Sequence, residues 1–251
     1  MTERVVLHVG THKTGSTSLQ QFLRDHDDDL VAAAGAHYPV GLVLPASHAE
    51  LPLLAIRAER TWPARLRLPE TEQPTWLAMA EAHVRATVRT SSQGVLVLSH
   101  EDLSYLRFDD EHDRLRDLLG GLPVRVIVFL RDKVAFLRSY RAQLEATGFS
   151  PSTDPSSFAY VEADSWLVDH EALVGGYQRS FGAANVEVID YDDTVARDGS
   201  VIPHFAERLG IPRSALPPLD PYRLNRSGTH LRPSDEQLAA IRRRLAEQAR
   251  D

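Results

Sequence analysis

Residues 5–20, VVLHVGTHKTGSTSLQ, decide the fold. Val5 to Val9 is a short apolar run rich in β-branched residues, the pattern of a buried strand. A glycine-bounded loop, Gly10 to Gly15, follows directly. Leu19, Phe22 and Leu23 then fall on one face at helical spacing. Strand, glycine loop and helix N-terminus together make a concave anion site, because backbone N–H groups converge there and the helix dipole favours negative charge. A nucleotide-hydrolysing P-loop reads G-x-x-x-x-G-K-[ST], with the lysine after the second glycine. Gly10 and Gly15 keep the glycine spacing and Thr17 holds the hydroxyl position, but Ser16 stands where the lysine belongs. The only lysine of the loop, Lys13, precedes the second glycine. His12, Lys13, Thr14, Gly15, Ser16 and Thr17 are the candidate phosphate-binding residues of this segment.

The same alternation continues outward. Strand-like runs at 5–9, 95–99, 124–130 and 186–190 are separated by helical patterns. A helix ends at Gly35; others run over about 76–88, 110–119, 134–146, 165–181 and 200–209, and a last one opens on the capping box Ser234–Gln237. Strands alternating with helices predict an α/β fold, a P-loop-like, mainly parallel sheet flanked by helices on both faces. The 251 residues suffice for one such domain, 1–251. Two stretches resist this reading. Residues 39–74, interrupted by Pro45, Pro52, Pro63, Pro69 and Pro74, are irregular or built of short helices, and residues 147–164 look like a mobile loop.

Composition narrows the function. Net charge is -7, with 28 basic against 35 acidic residues, which argues against a general nucleic-acid binder. There is no cysteine, so disulfides and thiolate metal sites are excluded. The N-terminus lacks the basic start and long apolar stretch of a signal peptide, and no apolar run spans a bilayer. A soluble, cytoplasmic protein without membrane insertion is the expectation.

In such sheets ligands bind outside the carboxyl ends of the strands. At the third of these ends, FLRDKVAFLRS, Arg131 leaves the strand and Ser139 lies eight residues on, inside the next helix. An arginine there is placed to fork onto a phosphate, and a serine two turns later reaches the same group. At the second end, LSHEDLS, His100 and Glu101 lie just beyond the strand, and His48 stands in the proline-rich region. These three are the candidates for a general base.

The 5–20 segment together with the Arg131–Ser139 pair resembles the sulfotransferases that use 3′-phosphoadenosine 5′-phosphosulfate. Gly10–Thr17 resembles that family's 5′-phosphosulfate loop, whose lysine also precedes the second glycine, and RDKVAFLRS resembles its 3′-phosphate motif. HYP followed by His48, LSHEDLS, the Phe181–Gly182 pair and VIDYDD extend the resemblance to bacterial members. The family usually has threonine at Ser16, and often Asn-Pro where Asp132 and Lys133 stand.

The resemblance implies a phosphosulfate donor, no metal, and a small-molecule or carbohydrate acceptor held by insertions at about 39–74 and 147–164. It implies Lys13 as the stabiliser of charge on the bridging oxygen, and it favours His48 and Glu101 over His100 as base. Asn225, Arg226 and Ser227 resemble a late loop that closes near the nucleotide. Two competing readings are a P-loop nucleotide or small-molecule kinase and a non-catalytic nucleotide-binding regulator. The displaced lysine and the Arg131–Ser139 pair argue against the kinase, as does Ser99, where a kinase strand would end in aspartate. His8, inside the first strand, reads as a packed core histidine.

Overall fold

The computed structural model describes residues 2–66 and 73–222. The 223–233 loop and the helix expected from Ser234 lie outside the described residues. Five strands, β1 (Arg4–Gly10), β2 (Ala36–His37), β3 (Val95–Ser99), β4 (Val124–Leu130) and β5 (Val186–Asp190), form one sheet in the order β2-β3-β1-β4-β5. Every pairing is parallel, so the expected parallel α/β sheet is what the chain forms.

The apolar run of β1 follows from its central place. Val5, Leu7 and Val9 enter one core and Val6 the opposite one, so both faces of the strand are covered. On the first face pack α3 (Glu50–Ala55), α5 (Gln73–Thr90), α6 (Asp109–Leu118), α7 (Lys133–Ala146) and α8 (His170–Phe181). On the second pack α1 (Ser16–Asp25), α2 (Asp27–Ala34) and α10 (Ile202–Arg208). Leu7 and Leu98 are buried neighbours in register. Truncating either to alanine would cost about 2–5 kcal/mol.

Four local features differ from the sequence expectation. Ala36 and His37 form a strand of two residues, too short to give a period, which pairs with Val95 and Leu96. The helix expected from Ser165 opens instead as a 3₁₀ turn over Trp166–Val168. α8 proper starts at His170, because the Asp169 carboxylate caps Ala172 N–H at 3.0 Å. A further helix, α9 (Tyr191–Asp198), follows β5 directly, capped by Asp190 through Asp193 N–H at 2.8 Å. The 147–164 stretch is irregular but anchored, with Phe158, Ala159 and Val161 buried in the first core.

The proline-rich 39–66 stretch contains two short helices, α3 and α4 (Pro63–Leu66), as its prolines suggested. Among the described residues no helix is long and apolar enough to cross a membrane.

Candidate active site

The carboxyl ends of β1, β3 and β4 are adjacent in the sheet, so their following loops meet on one edge. The 10–17 loop leaves β1 there and wraps into the start of α1. At Gly10 a Cβ would run into the hydroxyls of Ser16 and Thr14, so any larger residue would have to displace these side chains. Gly15 takes φ 76° at the N-cap of α1, and no side chain caps that helix. A helix N-terminus of this kind presents main-chain N–H groups that a ligand can take up. The Ser16 hydroxyl is buried without a partner. Thr14 behaves differently: its hydroxyl donates to Thr11 C=O at 2.6 Å, so it ties the loop to itself and offers only its main chain. Thr17 is half-buried in the first turn of α1.

Lys13 has φ 67°, a left-handed backbone that costs a non-glycine residue about 1–2 kcal/mol. Its amine is half-buried. Burial lowers its pKa, the Arg131 guanidinium lowers it further, and Glu101 partly offsets both. Arg131 donates from an Nη to Lys13 C=O at 3.2 Å. Asp192 lies 3.7 Å from its Nε, and the Tyr191 ring 5.4 Å below its guanidinium carbon. That Nε is buried and makes no hydrogen bond. Ser139 sits half-buried two turns into α7. Arg131, Lys13 and the amide-lined loop thus form one cationic corner, with Ser16 Oγ–H and Arg131 Nε–H as unspent donors. A phosphate group fits that donor set.

The β3 end supplies the opposite wall. Glu101 is partly exposed and accepts Gln20 Nε2–H on Oε2 at 3.1 Å. Burial pushes its carboxyl up, but the electrostatic effect of His100 and His12, its own amide and Gln20 outweigh burial and hold it at about 2. His12 is buried, with Nε2 3.0 Å from Asp102 Oδ1 and its ring stacked on Tyr105 at 4.9 Å. His100 uses Nδ1 to accept Asp102 N–H at 3.0 Å, which caps the 3₁₀ turn Glu101–Tyr105.

His48 does not join this wall as a free imidazole. It is buried; Nδ1 accepts Ser99 N–H at 3.0 Å, and Nε2 lies 3.1 Å from Pro39 C=O, to which it donates. Burial lowers its pKa to about 3. Both nitrogens are engaged by main chain, so no lone pair is left for an acceptor's proton. His8 is fully buried, 2.7 Å from Ser99 Oγ, with its pKa lowered to about 4 by burial.

The chain has the fold of known sulfotransferases. A sulfotransferase from Alicyclobacillus acidocaldarius superposes with a TM-score of 0.55 at 16% identity, covering 98% of this chain and 92% of that one. The sulfotransferase domain of the Synechococcus PCC 7002 olefin synthase gives 0.46 at 14% identity, covering 98% and 95%. The Deinococcus radiodurans tunicamycin resistance protein gives 0.38 at 13%, covering 79% and 96%. No family model matches the chain, and no curated protein matches it in sequence. Fold alone does not specify chemistry, so the function rests on the site.

Sequence reasoning missed Gln20, Asp102 and Asp192. Each supports a neighbour that it did single out. Gln20 carried a signal, a polar residue directly after Leu19 on the helix that opens at the loop.

Proposed function

We propose that the chain transfers a sulfuryl group from 3′-phosphoadenosine 5′-phosphosulfate to a hydroxyl or amine of a small-molecule or carbohydrate acceptor. The observation that carries this reading is the position of Lys13. It stands before the second glycine in a strained backbone, electrostatically coupled to Arg131 and Glu101 at once. A lysine there faces the oxygen that bridges phosphate and leaving sulfur, whereas a kinase lysine after the second glycine reaches the β- and γ-phosphates.

Transfer of this kind is mostly positioning and charge stabilisation, as in phosphoryl transfer. The 10–17 loop, with Ser16, Thr17 and the backbone of His12 to Gly15, holds the 5′-phosphate end. Arg131 and Ser139 hold the 3′-phosphate. Lys13 meets the negative charge left on phosphate oxygen when the sulfur–oxygen bond breaks. Glu101 receives the acceptor's proton as the new bond to sulfur forms. Its low pKa keeps it ionised, and an anionic nucleotide beside it raises that pKa, strengthening the base. His48 is assigned a supporting role, fixing the strand end that carries Glu101.

The test is calorimetric titration, without added metal, of adenosine 3′,5′-bisphosphate, adenosine 5′-monophosphate and ATP with magnesium. Tighter binding of the bisphosphate is expected. It should be followed by transfer of labelled sulfur from the phosphosulfate donor to a panel of phenolic, aliphatic and sugar hydroxyls. Equal affinity for bisphosphate and monophosphate, or a preference for ATP with magnesium, removes this reading.

A further inference from the structure

Gln20 lies in α1, 81 residues from Glu101 in sequence, and is buried. Its amide nitrogen makes two hydrogen bonds, to Ser99 Oγ at 3.1 Å and to Glu101 Oε2 at 3.1 Å. An amide –NH₂ has two donors, so both are spent. The amide orientation follows from this network, since a flipped amide would set its carbonyl oxygen against a carboxylate. Ser99 is itself held: its hydroxyl pairs with His8, and its main chain is joined to His48 through both N–H and C=O. The Gln20 amide is therefore a buried donor fixed at one end to a rigid strand terminus and aimed at one carboxylate oxygen.

We propose that Gln20 is the positioning residue of the acceptor-side base. It fixes Oε2 of Glu101, so that the other oxygen faces the acceptor. This inference rests on the reading of Glu101 as base. Asp102 cannot take the place of Glu101 in this arrangement, because it faces His12 at 3.0 Å. The geometry also explains why α1 carries the role: the helix that presents its N-terminus to phosphate presents Gln20, one turn further on, to the base. The loop and the base are registered by one element.

The decisive variant is Gln20→Glu, which keeps the volume and places two carboxylates within hydrogen-bond distance. Such a pair shares a proton, and one pKa rises strongly. The folded pKa then exceeds the unfolded one, so the pair is tolerated at low pH and loses stability as pH rises through the raised value. The melting temperature of Gln20→Glu should match wild type near pH 5 and fall increasingly below it towards pH 8. The double variant Gln20→Glu/Glu101→Gln swaps the two groups, and its melting curve should return to the wild-type pH dependence. Neither measurement needs an acceptor. Failure of the swap to restore the curve overturns the contact.

The role is read separately, with the best acceptor of the panel. Gln20→Leu should lower kcat about 10-fold or more, the range of one hydrogen bond to a charged group, while leaving the affinity for adenosine 3′,5′-bisphosphate unchanged. Gln20→Glu should gain a rising limb in its pH–rate profile that wild type lacks. An unchanged kcat in a folded Gln20→Leu, or a pH-independent loss in Gln20→Glu, overturns the positioning role. Full turnover by Glu101→Gln alone would instead remove the base assignment and leave the contact standing.

Discussion

His48 and Ser99 are joined twice: Ser99 N–H donates to His48 Nδ1 at 3.0 Å, and His48 N–H donates to Ser99 C=O at 3.0 Å. The imidazole thereby clamps the proline-rich segment to the end of β3, two residues before Glu101. His48→Asn keeps a side-chain acceptor for Ser99 and loses the bond to Pro39. It should cost about 1–3 kcal/mol of stability and leave turnover within a few-fold. A loss of 100-fold or more in a folded His48→Asn would return the base role to the imidazole.

The same histidine makes stability depend on acid. Burial holds His48 at about 3 and His8 at about 4 in the folded state, against an ordinary value near 6.5. Between those limits the unfolded chain binds protons that the folded chain does not. This stabilisation is therefore present above pH ~6.5 and is lost as pH falls towards 4. Melting temperature should drop between pH 7 and pH 5, and the drop should be shallower in His48→Asn. A wild-type melting temperature that is flat over that range would contradict the buried, neutral imidazoles.

Lys13→Ala should reduce turnover about 100- to 1000-fold, the range for loss of one preorganised charge stabiliser, while nucleotide binding survives in part through the loop amides and Arg131. Single-turnover measurement at saturating donor separates the two effects. If the variant turns over at a near-normal rate, Lys13 is not at the breaking bond.

How far the sequence reveals this site depends on how local each relationship is. The loop, α1 and the Arg131–Ser139 spacing are local, and glycine spacing and helical period expose them. The four longer strands are local too: burial on both faces makes β1, β3 and most of β4 short apolar runs, and β5, at the sheet edge, alternates apolar with acidic residues. β2 is not, since two residues carry no period and Ala36–His37 becomes a strand only by pairing with β3. The role of His48 is equally non-local. A histidine near a motif reads as a proton carrier, and only the fold puts main-chain partners on both its nitrogens. Gln20 and Glu101 are 81 residues apart, and nothing in sequence spacing relates them.

Arg131→Ala should weaken adenosine 3′,5′-bisphosphate by about 10- to 150-fold, as expected for one charge-assisted bond of about 1.5–3 kcal/mol. The 5′-monophosphate should change little. Ser139→Ala should act in the same direction but more weakly, because its hydroxyl is a neutral donor. Equal losses for both nucleotides in calorimetric titration would show that Arg131 acts on the loop, through its bond to Lys13 C=O, rather than on a 3′-phosphate.

Glu50 sets the alkaline side of stability. Its side chain is 1% exposed, Oε2 has no hydrogen-bond partner, and the nearest cationic candidate, His83 Nε2, lies 3.9 Å from Oε1. Burial pushes the carboxyl up to about 7, against the opposing pull of its own amide and those of Leu42 and Val43. A carboxyl with a raised folded pKa contributes stability below its unfolded value, and that contribution is lost as pH rises through about 7. Glu50→Gln cannot ionise, so its stability relative to wild type should be least favourable near pH 5. It should gain on wild type by on the order of 1 kcal/mol per pH unit between about pH 5 and about 7, and the difference should level off at higher pH. Chemical denaturation of both proteins between pH 5 and pH 9 measures this difference. A constant difference across the range would mean that Glu50 does not change its protonation on unfolding.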